Sequence, residues 1–215
     1  MSTPVSGSVS WNTPVTINSG DVVTATDLNA INKDVAWLHA RPWTIVNQTG
    51  AGTAIGNPAT QVLFGGSGSG TYSVTNSATA VGSISLSGGA FNVPIAGMYR
   101  ITASLGIAAT NGAHWRIRLV GQNSSAAPVW QYSGQVVNGL TAAGDIDIST
   151  VSVLVPVGTS SSSVPLGNAT SFYLAFDHLA ASGAATTQAL GTQTSNFYPT
   201  SVQIEFTGIS ADGAY

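Results

Sequence analysis

From Tyr99 to Ile107 the sequence alternates without a break. Tyr99, Ile101, Ala103, Leu105 and Ile107 hold the odd positions, with Arg100, Thr102, Ser104 and Gly106 between them. A strand sends successive side chains to opposite faces, so this period of two builds one apolar face and one wet or partner-facing face. Pro94 and Gly97 in FNVPIAG punctuate the entry, because proline fixes φ and glycine permits a tight turn. Trp115, Ile117 and Leu119 alternate in the same way against Arg116 and Arg118, and Val202, Ile204 and Phe206 against Ser201, Gln203 and Glu205. From about residue 47 such segments recur between Gly/Ser/Thr-rich turns, and the spacing predicts strands at 60–64, 71–75, 81–87, 98–108, 114–121, 129–137, 145–156, 170–180 and 200–208. Many short strands with such turns make an all-β sandwich or barrel. FYLAFDHL, 172–179, is apolar on both faces, which fits a central strand or a subunit interface.

One segment breaks the pattern. TATDLNAINKDVAWLHARPW, 24–43, reads as a short helix over about 26–40, with Thr26 as cap, Asp27 favouring the positive N-terminal end and Arg41–Pro42 as stop. Leu28, Ile31, Val35 and Leu38 recur at spacings of three, four and three, an a/d seam two heptads long. So short a helix is marginal alone and must pack on something. Docking on its own domain and a seam or anchor in a larger assembly both remain open here. Trp11, Trp37 and Trp43 add apolar surface, and residues 1–20 are polar, proline-punctuated and extended. The organisation expected is an arm over 1–46 and a sandwich over 47–215.

Charge narrows the function. Asp, Glu, Lys and Arg are 6% of the 215 residues, against about 25% in ordinary domains. The basic residues are Lys33, Arg41, Arg100, Arg116 and Arg118, and the net charge is −3, so there is no electrostatic footprint for nucleic acid or anionic lipid. With 43% hydrophobic residues the chain can still bury a core. Depletion of charge is also what the centres of protein interfaces show, which points to a surface committed to neighbours. There is no cysteine, hence no disulfide framework or thiolate metal site. No secretory leader is visible in MSTPVSGSVSWNTP, and the best apolar run, VSVLVPVG at 151–158, is too short to cross a bilayer.

The catalytic search is thin. His39, His114 and His178 are scattered, Asp177 and His178 project to opposite strand faces, and no G-x-S-x-G elbow occurs. Asp145 and Asp147 share a strand face, but two carboxylates are few for a cation that takes about 6–8 oxygens. Pairing with Arg116 or Arg118 on a solvated face is the simpler expectation. GAGTAIGNP, 50–58, lacks the lysine and helix of a phosphate loop. Trp130 and Tyr132 offer rings on which a sugar can stack, although core packing explains such residues more often. No cofactor, metal or catalytic residue is assigned.

Gly89, Phe91, Pro94, Gly97 and Tyr99 are spaced as in the globular heads of the complement and tumour-necrosis-factor superfamily. LGNATSFYLAF, 166–176, resembles that family's glycine-led turn and following aromatic strand, with Asn168 where an aspartate is usual, and EFTGI, 205–209, resembles its closing strand. The resemblance covers about residues 60–210 and implies a trimeric jelly roll with aromatic residues near the threefold axis. Phe172, Tyr173, Phe176 and Phe206 are the residues it nominates for the trimer. Separately, GDVVTATDLNAINKDVAWLHARPW is similar to the leading segments of tailed-bacteriophage decoration, head-fibre and minor tail proteins. That similarity implies a virion protein assembled in the host bacterial cytoplasm. Trp11, Leu28, Ile31, Val35, Leu38 and Trp43 would attach it to the major capsid protein or another virion protein. A tail-associated adhesin for host-surface glycans is the alternative, and a small depolymerase a third reading.

Overall fold

In the computed structural model the described residues are 20, 22–39, 41–50, 59–65, 71–77, 82–109, 114–138, 147–158, 169–180, 185–187 and 200–208. They form one helix, α1 (Ala25–His39), and thirteen strands. In chain order the strands are β1 (Trp43–Gln48), β2 (Ala59–Val62), β3 (Tyr72–Asn76), β4 (Ser85–Ser87), β5 (Ala90–Asn92), β6 (Gly97–Ala109) and β7 (His114–Gln122). Then follow β8 (Pro128–Ser133), β9 (Val137–Asn138), β10 (Asp147–Val157), β11 (Ser171–Ala180), β12 (Ala185–Thr187) and β13 (Ser201–Gly208).

Two antiparallel sheets result. One runs β10-β6-β13-β1-β3, with β12 beside β6; the other runs β4-β5-β11-β7-β8, with β2 beside β11 and β9 beside β7. The eight principal strands are β1, β5, β6, β7, β8, β10, β11 and β13. The first of these pairs with the eighth, the second with the seventh, the third with the sixth and the fourth with the fifth. That is one long antiparallel hairpin rolled into two sheets, the order that defines a jelly roll. The all-β jelly-roll sandwich implied by the resemblance is therefore the fold of this chain.

The alternating residues meet between the sheets. Tyr99, Ile101, Leu105 and Ile107 of β6 and Val202, Ile204 and Phe206 of β13 face Trp115, Ile117 and Leu119 of β7 and Phe172, Leu174 and Phe176 of β11, all essentially without solvent exposure. Burying each such side chain is worth about 1.5–3 kcal/mol. Tyr99 packs edge-on against Phe206 at 5.3 Å, and its hydroxyl donates to the Ile95 carbonyl at 2.7 Å. Burial pushes that phenol above its ordinary range, outweighing the hydrogen bond. Phe91 stacks on Phe172 at 5.3 Å, which ties the short strand β5 to the central β11.

Several boundaries differ from the sequence expectation. The sandwich begins at Trp43 rather than 47, because Thr44, Val46 and Gln48 are buried on β1 and its register with β13 runs from Trp43 to Asn47. WTIVNQ hides this strand behind polar inward positions, since two of its three buried residues are Thr and Gln. The strand expected at 129–137 is two, β8 and β9, and among the described residues of 81–87 Ser85–Ser87 is strand. Strands β5 and β12 had no counterpart in the alternation, being three residues each. Thr24, not Thr26, caps α1: its hydroxyl accepts from Asp27 N at 3.3 Å while Asp27 Oδ2 accepts from Thr24 N at 2.8 Å, a reciprocal capping box.

Gly97 is required for packing rather than for its φ. A Cβ there would lie 2.5 Å from the Phe206 ring and 2.7 Å from the Gly208 carbonyl. Gly97→Ala is expected to lower unfolding stability by about 1–3 kcal/mol, the cost of overpacking. Urea denaturation checks this, and an unchanged midpoint would contradict the packing described.

Candidate functional site

Three places outside the core present chemistry or unpartnered surface. The first is α1. Leu28, Ile31 and Val35 are 54%, 43% and 47% exposed, so these three positions of the a/d seam are open to solvent. Among the described residues no hydrogen bond joins α1 to a strand. The chain re-enters the fold at Pro42, whose carbonyl accepts from Phe206 N at 2.9 Å. The cap hydrogen bonds from Thr24 hold the exposed Asp27 carboxylate below its usual pKa. Leu38 lies in α1 but its side chain is outside the described residues, as is all of Trp11. Trp43, assigned to the arm, is instead a half-exposed residue on the outer face of β1, opposite Glu205.

The second place is the outer face of the sheet β10-β6-β13-β1-β3. In one cross-strand row Trp43, Glu205, Arg100 and Leu154 lie side by side. Arg100 is thus on the face away from the core, as the alternation requires. Below it the face turns to small hydroxyls, with Thr102 bonded to Ser152 and Ser104 to Ser201, each at 3.0 Å. Leu154 and Ile148 stand exposed among them.

The third is an ion-pair cluster on the outer face of β11 and β7. Arg118 holds Asp177 with two bonds, Nε to Oδ2 and Nη2 to Oδ1, both 2.9 Å. Arg116 Nε donates to Oδ2 at 3.2 Å and Thr60 Oγ1 to Oδ1 at 2.9 Å. Gln131 Oε1 accepts from Arg118 Nη1 at 3.2 Å. Register explains the meeting: Asp177 is opposite Arg116 across β7 and opposite Thr60 across β2. Burial raises the Asp177 pKa, but the bonds from Arg118 and Thr60 and the charge of Arg118, with Arg116 last, outweigh it and hold the carboxyl below its usual range.

Among the described residues the acidic partner of Arg116 and Arg118 is Asp177. Asp145 and the side chain of Asp147 lie outside the described residues. His178 points into the core, stacked on Phe176 at 6.4 Å, so it shares no site with Asp177. Among the described residues no three His, Asp or Glu side chains converge to hold a metal ion, and no helix is long and apolar enough to cross a membrane. Asn168 and the glycine-led turn lie outside the described residues.

The aromatic residues nominated for the trimer need correction. Phe172, Phe176 and Phe206 are buried inside one chain, against Phe91, Trp115 and Tyr99 respectively, and present nothing to a second chain. Their strand parity puts them on the inter-sheet side, and only Tyr173, half-buried on the outer face between Ala90 and Val120, faces outward. On the outer face of β11, Ala175 and Asp177 are buried as well. Trp130 packs over Gly121, whose Cβ would sit 2.2 Å from the indole, and leaves Tyr132 exposed beside it at 5.8 Å.

No family model matches the chain, and no curated protein does either. Solved structures do show likeness. The Eiger TNF of S. frugiperda matches at 10% identity over 82% of this chain and 98% of its own, with a TM-score of 0.47. Infectious bursal disease virus, Gt strain, matches at 12% identity over 80% of this chain and 38% of its own, with 0.40. The empty virus-like particle of cowpea mosaic virus matches at 12% over 93% and 86%, with 0.29. The fold assignment rests on the strand order above, not on these scores.

Because its folded pKa is depressed, Asp177 contributes stability above the ordinary carboxylate pKa of about 3.9, and the contribution is lost as pH falls through the lower folded value. Asp177→Asn is expected to cost about 2 kcal/mol at neutral pH. The gap between variant and parent should shrink on acidification, measured as urea midpoints along a pH series; a gap independent of pH would contradict the assignment.

Proposed function

We propose that this chain is a non-enzymatic structural protein of a tailed-phage virion, a homotrimeric capsid-decoration or head-fibre protein assembled in the host bacterial cytoplasm. The observation that carries the reading is the exposed α1 seam of Leu28, Ile31 and Val35, attached to a sandwich whose core, among the described residues, takes no side chain from α1. An apolar stripe of coiled-coil spacing held away from its own domain is a surface for another chain. In this reading residues 1–42, with Trp11 and Leu38 among them, attach the sandwich to the major capsid protein or another virion protein. Each arm need bind only modestly: three arms on one trimer raise avidity about 10²–10⁴-fold through effective concentration. The outer sheet face around Trp43, Ile148 and Leu154, where Arg100 and Glu205 also stand, together with Tyr173, takes over the trimer role first given to the buried phenylalanines.

A second reading, a tail-associated adhesin for host-surface glycans, is favoured by Tyr132 standing exposed beside Trp130 at the sandwich edge. Aromatic faces of this kind support sugar rings, and the remaining function classes have no such observation.

Deleting residues 1–42 is expected to yield particles that lack the protein, scored by gel analysis of purified virions; undiminished incorporation would overturn the anchor. Sedimentation of the full chain at micromolar concentration should give a mass that is a whole multiple of three chains, and a one- or two-chain species would overturn the trimer. Saturable glycan binding lost in Tyr132→Ala would select the second reading.

A further inference from the structure

From Pro42 to Tyr99 the chain carries no charged side chain, and β3 lies within that stretch. It ends its sheet: β3 pairs with β1 and, among the described residues, with no strand on its far side. Thr49 N and Gly50 N donate to the Thr71 carbonyl, and Ser77 N donates to the Trp43 carbonyl, so the odd-numbered residues bond to β1. Antiparallel strands alternate the direction of these groups, so the N–H and C=O of Tyr72, Val74 and Asn76 point away from the sheet.

Their side chains tell the same story. Tyr72 and Val74 lie opposite the buried Gln48 and Val46, on the core-facing side, yet are 37% and 42% exposed. Tyr72 rests edge-on against the buried Phe64 at 6.2 Å with its other side open. Inward-facing apolar side chains that remain wet mark a place where the sheet lacks its next strand.

Natural edges are guarded by charge, proline, bulges or shortness. Here β8 begins with Pro128, β10 carries Pro156 and starts at Asp147, and β2, β4, β9 and β12 have at most four residues. YSVTN has none of these devices.

We propose that β3 pairs with β3 of a second copy of this chain, antiparallel about a twofold axis midway between the two Val74 residues. In that register Val74 faces Val74 and Tyr72 faces Asn76, and each match exchanges two N–H···O=C bonds using the outward-pointing groups. The strand is its own complement. A twofold contact sets each residue against a residue of the same strand, so a charged edge would repel its copy, and this one carries no charge. The inference does not depend on the trimer; where both hold, β3 joins two trimers.

The absence of cysteine makes the test clean, since Val74→Cys introduces one thiol per chain. Hydrogen-bonded partners have Cα atoms about 5.5 Å apart, within the disulfide range of about 4.4–6.8 Å. Mild oxidation of the full-length V74C protein should give disulfide-linked pairs on a non-reducing gel, whereas S73C, on the opposite face and set against Thr75, should not. Val74→Pro removes only an outward N–H and leaves the β1 ladder intact, and Val74→Lys adds repulsion without touching the backbone; both should halve the sedimenting mass. Absence of V74C pairs above the S73C level, or unchanged mass in both variants, overturns the proposal. Halved mass without V74C pairs overturns it too, as another strand then occupies the edge. The trimer is scored separately, by whether the V74K species contains three chains or one.

Discussion

The contact between Tyr99 and Phe206, repeated along β6 and β13 and answered by Trp115, Phe172 and Phe176 across the sandwich, is what the rest of this structure depends on. It fixes register. A slip of one residue on β6 would turn Tyr99, Ile101 and Leu105 to solvent and bring Arg100 inside, so only one pairing is compatible with a dry interior. Gly97 belongs to the same contact, because the Phe206 ring occupies the space its side chain would need.

Once parity is fixed, so is the placement of everything polar. Arg100, Arg116, Arg118, Asp177 and Glu205 all fall on outward positions; register sets Arg100 opposite Glu205 and Arg116 opposite Asp177, and among the described residues ion pairs close only on the β7–β11 pair. Asp177 is buried and its carboxylate is fully bonded, which makes the cluster a clamp between β2, β11 and β7. His178, next in the chain, faces the other way. The proposed assembly uses surfaces the core does not: α1, the hydroxyl-lined sheet and the edge of β3.

Strand parity was legible before any coordinate, since Tyr99–Ile107, Trp115–Leu119 and Val202–Phe206 alternate so cleanly. The helix was legible too, through its 3-4-3 spacing and Pro42. Three things were not. β1 escaped because Thr44 and Gln48 are polar yet buried, so burial there does not follow hydropathy. The phenylalanines of β11 were given to a subunit interface because an apolar strand on both faces reads alike whether a partner or its own sheet covers it. The Asp177–Arg118 pair depends on which residues of β11 and β7 stand opposite, and register between strands some sixty residues apart is a tertiary property.

The central claim is that folding and assembly are separate here: the sandwich is complete by itself, and the α1 seam serves another chain. Replacing Leu28, Ile31 and Val35 together with glutamine, and comparing urea midpoints and virion incorporation with the parent, tests it most directly. The account predicts an unchanged midpoint of the sandwich and loss of incorporation. A lowered midpoint with incorporation retained would contradict it, because the seam would then belong to the protein's own core.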